Sequence, residues 1–311
     1  MRAAVVHQPG ATPVLEQFSD PRPGPGVSVG TLLAAALNPL DVVMVNDQFP
    51  LRPLQPPSVA GYEAVVQLAD GTRQYVTAPT SPYGTLAELV PVADSAGFPV
   101  PTGLDPALAA ALGVAGMAGW LALDHRAHLQ PGETVLVLGA GGAAGRLTLQ
   151  SARVLGAGLV VGAARGKDLR HAAELGADAV VDLADEQALD AALAAAAPGG
   201  YDVIVDFLWG ATAAHAMDHA GLGARYVQVG SSAGATSTIS GLALRNKLMT
   251  IIGHGQFATP PEARRSAYAQ LTGHAIDGKY TVDLERTRLE DISATWERLK
   301  TGAPRKLVVT P

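Results

Sequence analysis

Three hydrophobic patterns follow one another along the chain, and each predicts a different structure. Residues 1 to about 103 contain short apolar runs separated by Pro, Gly, Asn and Asp, which predicts a barrel-like antiparallel sheet with a short helix near 39–46. Helices begin at Asp105-Pro106, an N-cap followed by proline at the first helical position. Between about 133 and 255, apolar strands alternate with helices of about ten residues, which predicts an α/β fold with a doubly wound parallel sheet.

The last part of the chain departs from this alternation. Thr259-Pro260-Pro261-Glu262 fits a capping box that begins a helix extending to about Ile276. A strand at 281–284, a helix near 289–299 and a strand at 306–309 are predicted to follow. We expect this tail to return to the N-terminal region. Residues 1–113 and 256–311 would then form one β-rich domain and residues 114–255 an inserted α/β domain, with the ligand cleft between them.

One stretch of the alternating region carries the chemistry. Residues 133–157 read ETVLVLGAGGAAGRLTLQSARVLGA, which is a buried strand, a glycine-rich turn and an amphipathic helix. Small residues let the backbone approach a pyrophosphate closely, and the N–H groups at the helix N-terminus point toward it. The residues of the turn expected to bind a dinucleotide are Gly139, Ala140, Gly141, Gly142, Ala143 and Ala144.

The end of the next strand indicates which dinucleotide is bound. A site for NAD usually carries Asp or Glu about 20 residues past the glycines, where the carboxylate binds the ribose 2′-hydroxyl. Residues 161–167 contain Arg165 and Lys167 but no acid, and Asp168 is expected to come too late, already inside the next helix. Because cations attract a 2′-phosphate, the predicted cofactor is NADP(H). The alternative is that both cations are solvated charges at the start of a helix.

Composition excludes several classes of function. The chain has 311 residues, of which 48% are hydrophobic and 16% charged, so two domains with a large core are expected. A net charge of −6 without a basic block argues against nucleic acid or an anionic membrane as partner. The lack of cysteine excludes disulfides, thiolate zinc sites and cysteine nucleophiles. The N-terminus does not read as a signal peptide, so a soluble cytoplasmic protein is expected.

Several segments share their order and spacing with a known family. They are Asn38-Pro39-Leu40-Asp41, Gly61-Tyr62-Glu63, Tyr83 to Glu88, Leu129 to Val137, Gly139 to Gly145, Gly230 to Gly234 and Lys306 to Val309. Taken together, these segments resemble the medium-chain dehydrogenase/reductase superfamily and, within it, the zinc-free quinone oxidoreductase branch. The resemblance implies a Rossmann domain plus a β-rich GroES-like catalytic domain. It also implies a homodimer joined through the edges of the nucleotide-binding sheets.

The chain departs from the family pattern at the zinc site and in the substrate pocket. Zinc-dependent members carry His at the position of Tyr62 and Cys near position 38, where this chain has Asn38. Phenol and amide groups are poor zinc ligands, so no metal is expected. Ala118 replaces a frequent Thr beside the nicotinamide, and Val43 and Phe49 stand where many members carry Tyr. The pocket is therefore expected to be more apolar than usual, which leaves the usual quinone preference open.

The resemblance also suggests site residues outside the glycine turn. Asn38 would lie near the nicotinamide, where it orients the cofactor amide or binds the acceptor oxygen; alternatively it caps the helix after Pro39. Tyr62 would donate a hydrogen bond, or else fill the place of the lost zinc ligand. His254 would line the cleft, or else be a polar turn residue. The expected cofactor contacts beyond the glycine turn and the two cations are Leu208, Gly230, Ser231 and His254.

Without a metal to polarise a carbonyl, the favoured hydride acceptor is one whose own conjugation spreads the incoming negative charge. The predicted function is hydride transfer from NADPH to a quinone or an α,β-unsaturated carbonyl, both small molecules, with the proton coming from solvent or a weak donor. One alternative is an enoyl-thioester or other enone reductase of a biosynthetic pathway. The other is a non-catalytic NADPH-binding sensor. His215 and His219 have i,i+4 spacing but no apparent third metal ligand, and are assigned to a helix surface.

Overall fold

The computed structural model describes residues 1–49, 52–77, 79–166 and 168–311. Its internal contacts divide the chain into two compact units. The first unit comprises Met1–Val114, Tyr268–Asp277 and Val282–Pro311, and the second comprises Ala115–Ala267 and Gly278–Thr281. The functional division at residues 113/114 and 255/256 stays a prediction.

The N-terminal part of the first unit consists mostly of short strands. Its strands are β1 (Arg2–Val6), β2 (Val14–Gln17), β3 (Val27–Ala36), β4 (Ser58–Val59), β5 (Glu63–Gln67), β6 (Arg73–Thr77), β7 (Leu89–Ala93) and β8 (Phe98–Pro99). Two helices accompany them, α1 (Pro39–Val45) and α2 (Pro106–Ala111). Asp105 Oδ1 accepts a hydrogen bond from Leu108 N at 2.9 Å, which caps α2 as the sequence predicts.

The second unit is built on a parallel sheet. Its strands are β9 (Thr134–Leu138), β10 (Leu159–Ala164), β11 (Ala179–Asp182), β12 (Tyr201–Asp206), β13 (Ala220–Gln228) and β14 (Thr250–Gly253), in the order β11-β10-β9-β12-β13-β14. Its helices are α3 (Val114–Leu121), α4 (Ala143–Val154), α5 (Asp168–Glu174), α6 (Leu189–Ala196), α7 (Ala211–Asp218), α8 (Gly241–Lys247) and the start of α9 (Pro261–Ile276).

Both faces of β9, a central strand of the parallel sheet, are buried. Val135 and Val137 of β9 belong to one apolar cluster, and Leu136 and Leu138 belong to another. Burial on both sides explains why this strand is a continuous apolar run rather than an alternating one. None of the helices within the described residues is long and apolar enough to cross a membrane.

The C-terminal segment completes the sheet of the first unit. It contains β15 (Leu284–Arg288), α10 (Ile292–Lys300) and β16 (Lys306–Thr310). The sheet has the order β15-β16-β3-β5-β6-β8, with β7 also paired to β3, and β2-β1-β4 form a smaller sheet. Trp296 of α10 and Leu307 of β16 lie in the same apolar core as Leu37. The predicted fold class, a doubly wound parallel sheet with a separate β-rich unit, is confirmed.

Two predicted elements differ from the structure. The strand expected at 281–284 is wrong, because Thr281 N donates to Gln150 Oε1 at 2.7 Å and Thr281 O accepts from Gln150 Nε2 at 3.0 Å. Because both backbone polar groups of Thr281 bond to the side chain of Gln150, they do not pair with a neighbouring strand. The strand begins only at Leu284. The helix expected over 116–128 is also not uniform. It is α-helical to Leu121 and then a π-helical turn over Ala122–Arg126.

Candidate active site

The glycine turn lies at the carboxyl edge of the parallel sheet, between β9 and α4. Gly139 has φ 88°, a left-handed conformation that favours glycine. A Cβ at Gly145 would lie 2.2 Å from the carbonyl oxygen of Gly139, so the helix approaches the turn this closely only without a side chain. Ala140 N donates to Ala163 O at 2.9 Å and ties the turn to β10. The packing of the protein itself therefore explains why residues 139 and 145 are glycines.

Gly142 is not explained in the same way. Its φ is −78°, and the nearest atom to an added Cβ is Gly139 O at 3.7 Å. Gly142 is the N-cap of α4, and no side chain among the described residues caps that helix. The first N–H groups of a helix have no intrahelical acceptor, so those of Ala143 and Ala144 are available. Open space beside such donors suits a phosphate group.

Asp168 lies beside the glycine turn, although the sequence places it beyond the strand end. A Cβ at Gly141 would lie 2.6 Å from Asp168 Cβ and 2.9 Å from its Oδ2. The carboxylate is also 3.4 Å from Nη2 of Arg146, which is buried. Arg165 is exposed, and Lys167 lies outside the described residues. Asp168 is the first residue of α5, so its predicted place in the helix is confirmed, but its carboxylate lies against Gly141, which the sequence did not indicate.

Leu208 is held against the glycine turn by the end of β12. Asp206 is buried, and its Oδ1 accepts from Leu208 N at 2.7 Å and from Trp209 N at 3.1 Å. Burial raises the pKa of Asp206, whereas the hydrogen bonds from Tyr226 and from these backbone groups oppose the rise. A Cβ at Gly139 would lie 3.2 Å from Leu208 Cδ2. Leu208 therefore forms an apolar wall beside the turn.

The loop after β13 packs tightly on the loop after β12. A Cβ at Gly230 would lie 2.7 Å from the carbonyl oxygen of Phe207, which requires glycine there. Gln228 Nε2 donates to Gly230 O at 2.9 Å and closes the loop. Ser231 is exposed at its tip. The structure thus brings Gly230 and Ser231 to the same edge of the sheet as the glycine turn.

His254 follows β14 at that same edge. Its backbone N donates to Gln228 O at 2.8 Å, and the residue is only 7% exposed. Neither ring nitrogen has a hydrogen-bond partner among the described residues. Burial lowers the pKa of His254 to about 4, and the charges of Arg126 and His125 act in the same direction. The site therefore contains a neutral, buried imidazole with both nitrogens unused.

In the first unit, Asn38 belongs to a buried polar network. Its Nδ2 donates to Glu63 Oε1 at 2.7 Å, and its Oδ1 accepts from Lys306 Nζ at 2.5 Å. Glu63 Oε2 in turn accepts from Tyr75 OH at 2.7 Å and from Val114 N at 2.6 Å. Sequence reasoning missed Glu63, Tyr75 and Lys306, because nothing local to Asn38 points to partners so distant in sequence.

Asp41 connects the network to the segment that holds Tyr62. Its two carboxylate oxygens accept from Asn38 N at 2.7 Å and from Tyr62 N at 2.9 Å. Burial raises the pKa of Asp41 to about 7; Glu63 adds to the rise, whereas the two backbone donors and Lys306 oppose it. The side chain of Tyr62 is buried. A cavity beside Asp41 has a volume of about 30 Å³, which is room for about two waters.

His215 and His219, whose spacing makes them candidate metal ligands, both contact the same carboxylate. His215 Nδ1 lies 3.0 Å and His219 Nε2 lies 3.1 Å from Asp190 Oδ1. Within the described ranges, no group of three or more His, Asp or Glu residues is arranged to hold a metal ion. The pair therefore joins α7 to α6 at the surface.

Comparison with known proteins is consistent with this arrangement. A family model described as "Zinc-binding dehydrogenase" matches residues 143–269. Quinone oxidoreductase of Rattus norvegicus is 30% identical over 244 residues, which cover 74% of this chain and 73% of that protein. Quinone oxidoreductase of Homo sapiens is 28% identical over 324 residues, covering 99% and 97%. The solved quinone oxidoreductase of Thermus thermophilus, studied alone and with NADPH, is 28% identical with a TM-score of 0.81, and each chain is covered completely.

The glycine turn and the two-unit architecture define an oxidoreductase of the medium-chain dehydrogenase/reductase class. Within that class, the chain belongs to the zinc-free quinone oxidoreductase-like family. The family predicted from the motifs is therefore confirmed.

Proposed function

We propose that this protein transfers a hydride from NADPH to a quinone or an α,β-unsaturated carbonyl. Residues 114–255 bind the cofactor in this proposal, and residues 1–113 with 256–311 contribute the acceptor-binding side chains. The nicotinamide supplies the hydride, and the chain positions it and excludes water. The quinone oxidoreductases among its relatives support this choice of acceptor.

The observation that carries the proposal is the glycine at position 142. The packing of the protein gives no reason for its lack of a side chain, since the nearest atom to an added Cβ is 3.7 Å away. A bound pyrophosphate gives that reason, because it must approach the backbone and the first N–H groups of α4. Leu208 lies against Gly139 of the same turn, and the Gly230–Ser231 loop follows β13 at the same edge of the sheet.

Support for the phosphorylated cofactor is of two kinds. Arg165 is exposed at the end of β10, where a cation would pair with a 2′-phosphate, and Lys167 adds a second charge in the sequence. The relative from Thermus thermophilus was solved with NADPH. Asp168 acts against this preference, because its carboxylate would repel a 2′-phosphate. We therefore propose NADP(H) as the preferred cofactor, with Asp168 reducing the margin over NAD(H).

Asn38 and Tyr62 remain the proposed polar residues on the acceptor side. Glu63 and Lys306 hold the amide of Asn38 in one orientation, so Asn38 would act as a fixed hydrogen-bonding group. Tyr62 is placed by the hydrogen bond from its backbone N to Asp41. Each would stabilise the charge that develops on the acceptor oxygen.

We also propose that the protein is a homodimer joined along β14. This strand is an edge of the sheet, paired with β13. The exposed apolar side chains of β14 and of the segments that precede it, β13 and α8 with its C-cap, are Leu222, Leu242, Leu248 and Ile251, with exposures of 76%, 58%, 70% and 36%. An open strand edge flanked by apolar side chains is a typical site for pairing with a second copy.

Turnover measurements test the proposed reaction. The protein is mixed with NADPH and, separately, with benzoquinone, naphthoquinone and a set of enones and enoyl thioesters, and the nicotinamide absorbance is followed. We expect oxidation of NADPH by at least one quinone or simple enone. Turnover on enoyl thioesters alone would favour the biosynthetic reductase. Tight NADPH binding without turnover on any acceptor would overturn the enzyme assignment and favour the sensor.

A further inference from the structure

Two buried side chains of the second unit have polar atoms without partners. Nδ1 and Nε2 of His254 and Oε1 of Gln256 form no hydrogen bond with any described residue. Both residues are 7% exposed, and they stand two positions apart after β14. A buried polar atom without a partner costs about 1–3 kcal/mol. Two such residues only two positions apart in the chain indicate that a ligand completes their hydrogen bonds.

The order of the strands indicates which part of a dinucleotide reaches this position. Arg165 follows β10, the glycine turn follows β9, and His254 follows β14. In the sheet, β9 stands between β10 on one side and β12, β13 and β14 on the other. A cofactor with its 2′-phosphate at Arg165 and its pyrophosphate at the glycine turn extends toward β14. The nicotinamide end is therefore the part that approaches His254 and Gln256.

The unused atoms match the hydrogen-bonding groups of a primary carboxamide. A neutral imidazole offers one N–H donor and one acceptor nitrogen, and Gln256 Oε1 is a second acceptor. A carboxamide offers one carbonyl acceptor and two N–H donors. We propose that His254 donates to the carboxamide carbonyl of the nicotinamide and that Gln256 accepts from its N–H group. This inference rests on the proposed function and names two binding residues that fix which face of the ring is presented.

A quinone or enone oxygen suits these atoms less well. Such an oxygen only accepts hydrogen bonds, so it would leave Gln256 Oε1 unsatisfied. The nearby charges also favour a neutral imidazole, because Arg126 and His125 oppose its protonation. A neutral ring does not repel the positive charge of an oxidised nicotinamide. His254 can therefore bind both redox forms of the cofactor.

The backbone around the two residues is fixed independently of any ligand. His254 N is bonded to Gln228 O at 2.8 Å, and Arg126 Nη2 donates to Gly253 O at 2.9 Å. Gln256 begins a 3₁₀ turn over Gln256–Ala258. Replacement of either side chain by an apolar one of similar size therefore leaves the backbone hydrogen bonds intact. The variants His254→Phe and Gln256→Leu follow from this.

Calorimetric titration of the full-length protein with three ligands tests the inference. The ligands are NADP⁺, its 3-acetylpyridine analogue, which keeps the carbonyl but has a methyl group in place of NH₂, and 2′-phospho-ADP-ribose, which has no nicotinamide. We expect Gln256→Leu to weaken NADP⁺ about fivefold to tenfold without weakening the analogue. His254→Phe should weaken both. Neither variant should change the binding of 2′-phospho-ADP-ribose.

The outcomes separate this inference from the proposed function. If both variants bind NADP⁺ as tightly as the wild type does, the proposed carboxamide contact is wrong, whereas the proposed function is unaffected. Failure of the wild-type protein to bind both NADP⁺ and 2′-phospho-ADP-ribose overturns the two together. Thermal melting of the ligand-free variants gives a second measurement. Because the two side chains make no hydrogen bonds with the described residues, the variants should melt no lower than wild type, and a markedly lower melting temperature would contradict a binding role.

Discussion

The side chain of Asp168 lies against Gly141, such that a Cβ at that glycine would come within 2.9 Å of Asp168 Oδ2. This contact places a carboxylate on the turn proposed to hold the pyrophosphate and close to the end of β10. A carboxylate near that end binds the 2′-hydroxyl of NAD and repels the 2′-phosphate of NADP. In the proposed function, the preference between NADP(H) and NAD(H) is therefore a balance between the carboxylate of Asp168 and the positive charges of Arg165 and Lys167.

Asp168→Asn should shift this balance toward NADPH. The variant keeps the size of the side chain and removes its charge, so we expect the ratio of NADPH to NADH affinity to rise about threefold to tenfold. Glu174→Gln, which removes the same charge at the far end of α5, serves as the control and should leave the ratio unchanged. Dissociation constants for both cofactors provide the measurement. A fall in the ratio for Asp168→Asn would contradict the assigned role.

Substitutions at Gly142 and Gly145 should have opposite consequences. Gly142→Ala places a Cβ 3.7 Å from its nearest neighbour, so the free energy of unfolding should change by less than about 1 kcal/mol while NADPH affinity falls about tenfold. Gly145→Ala places a Cβ 2.2 Å from a carbonyl oxygen and should destabilise the protein by several kcal/mol. Urea unfolding and NADPH titration measure the two effects. Undiminished NADPH binding by Gly142→Ala would argue against the pyrophosphate site.

Lys306→Met should be strongly destabilising. Lys306 Nζ lies 3.8 Å from Glu63 Oε1, and both side chains are buried. Loss of the lysine leaves the carboxylate of Glu63 buried without its cation, which costs about 3–5 kcal/mol. Lys300→Met is the control, because Lys300 pairs with Glu297 at the surface and should contribute less than about 1 kcal/mol. Equal urea midpoints for the two variants would refute the importance of the buried network.

His254 should contribute a loss of stability as the pH is lowered from about 6.5 toward 4. Its pKa in the folded protein is about 4, below its ordinary value of 6.5, so the unfolded state binds more protons in this range. The difference corresponds to at most about 3 kcal/mol. Asp41 has the opposite effect. Because its pKa is raised to about 7 in the folded protein, its contribution to stability is largest at low pH and is lost as the pH rises.

A comparison of wild type with His254→Phe isolates the histidine, since Asp41 is common to both. Between pH 7.5 and 4.5, the unfolding free energy of the wild type should fall relative to that of the variant as the pH is lowered. If the two curves run parallel, the pKa of His254 does not differ between the folded and unfolded states, and the prediction is wrong. Besides burial, the charges of Arg126 and His125 lower the pKa of His254.

Ile251→Lys should convert the proposed dimer to a monomer. Ile251 lies on β14 and is 36% exposed, so a charge there would be buried in any pairing of two β14 strands. Val180 provides a matched control, because it is 39% exposed on β11, the opposite edge of the same sheet. Light scattering after size-exclusion chromatography should give a monomer mass for Ile251→Lys and a dimer mass for Val180→Lys. The reverse result would place the interface at the other edge.

Features determined by neighbouring residues were predictable from the sequence. The glycine turn, the cap of α2 by Asp105 and the helix after Thr259-Pro260 follow from spacings of one to four residues. The parallel sheet follows from the length and apolar character of its strands. The family was also predictable, because the order of its motifs along the chain is specific to it.

Features determined by distant residues were not predictable. The hydrogen bond between Lys306 and Asn38 joins residues separated by 268 positions, and the bonds of Thr281 to Gln150 replace the expected strand. The contact of Asp168 with Gly141 depends on how α5 folds over α4. The unused nitrogens of His254 become apparent only once the surrounding chain is in place. In each case a pairing across the fold overrides what the local sequence indicates.

The pairing of β16 with β3 has a consequence for biosynthesis. Val308 and Val309 pair with Ala36 and Ala35, so the strand that completes the sheet of the first unit is synthesised long after β3. The second unit, whose strands lie between residues 134 and 253, is complete earlier. During translation, one edge of β3 therefore stays open while about 270 residues are added, at about 5–20 residues per second. That interval, on the order of tens of seconds, is when the nascent chain most needs protection from strand-to-strand aggregation.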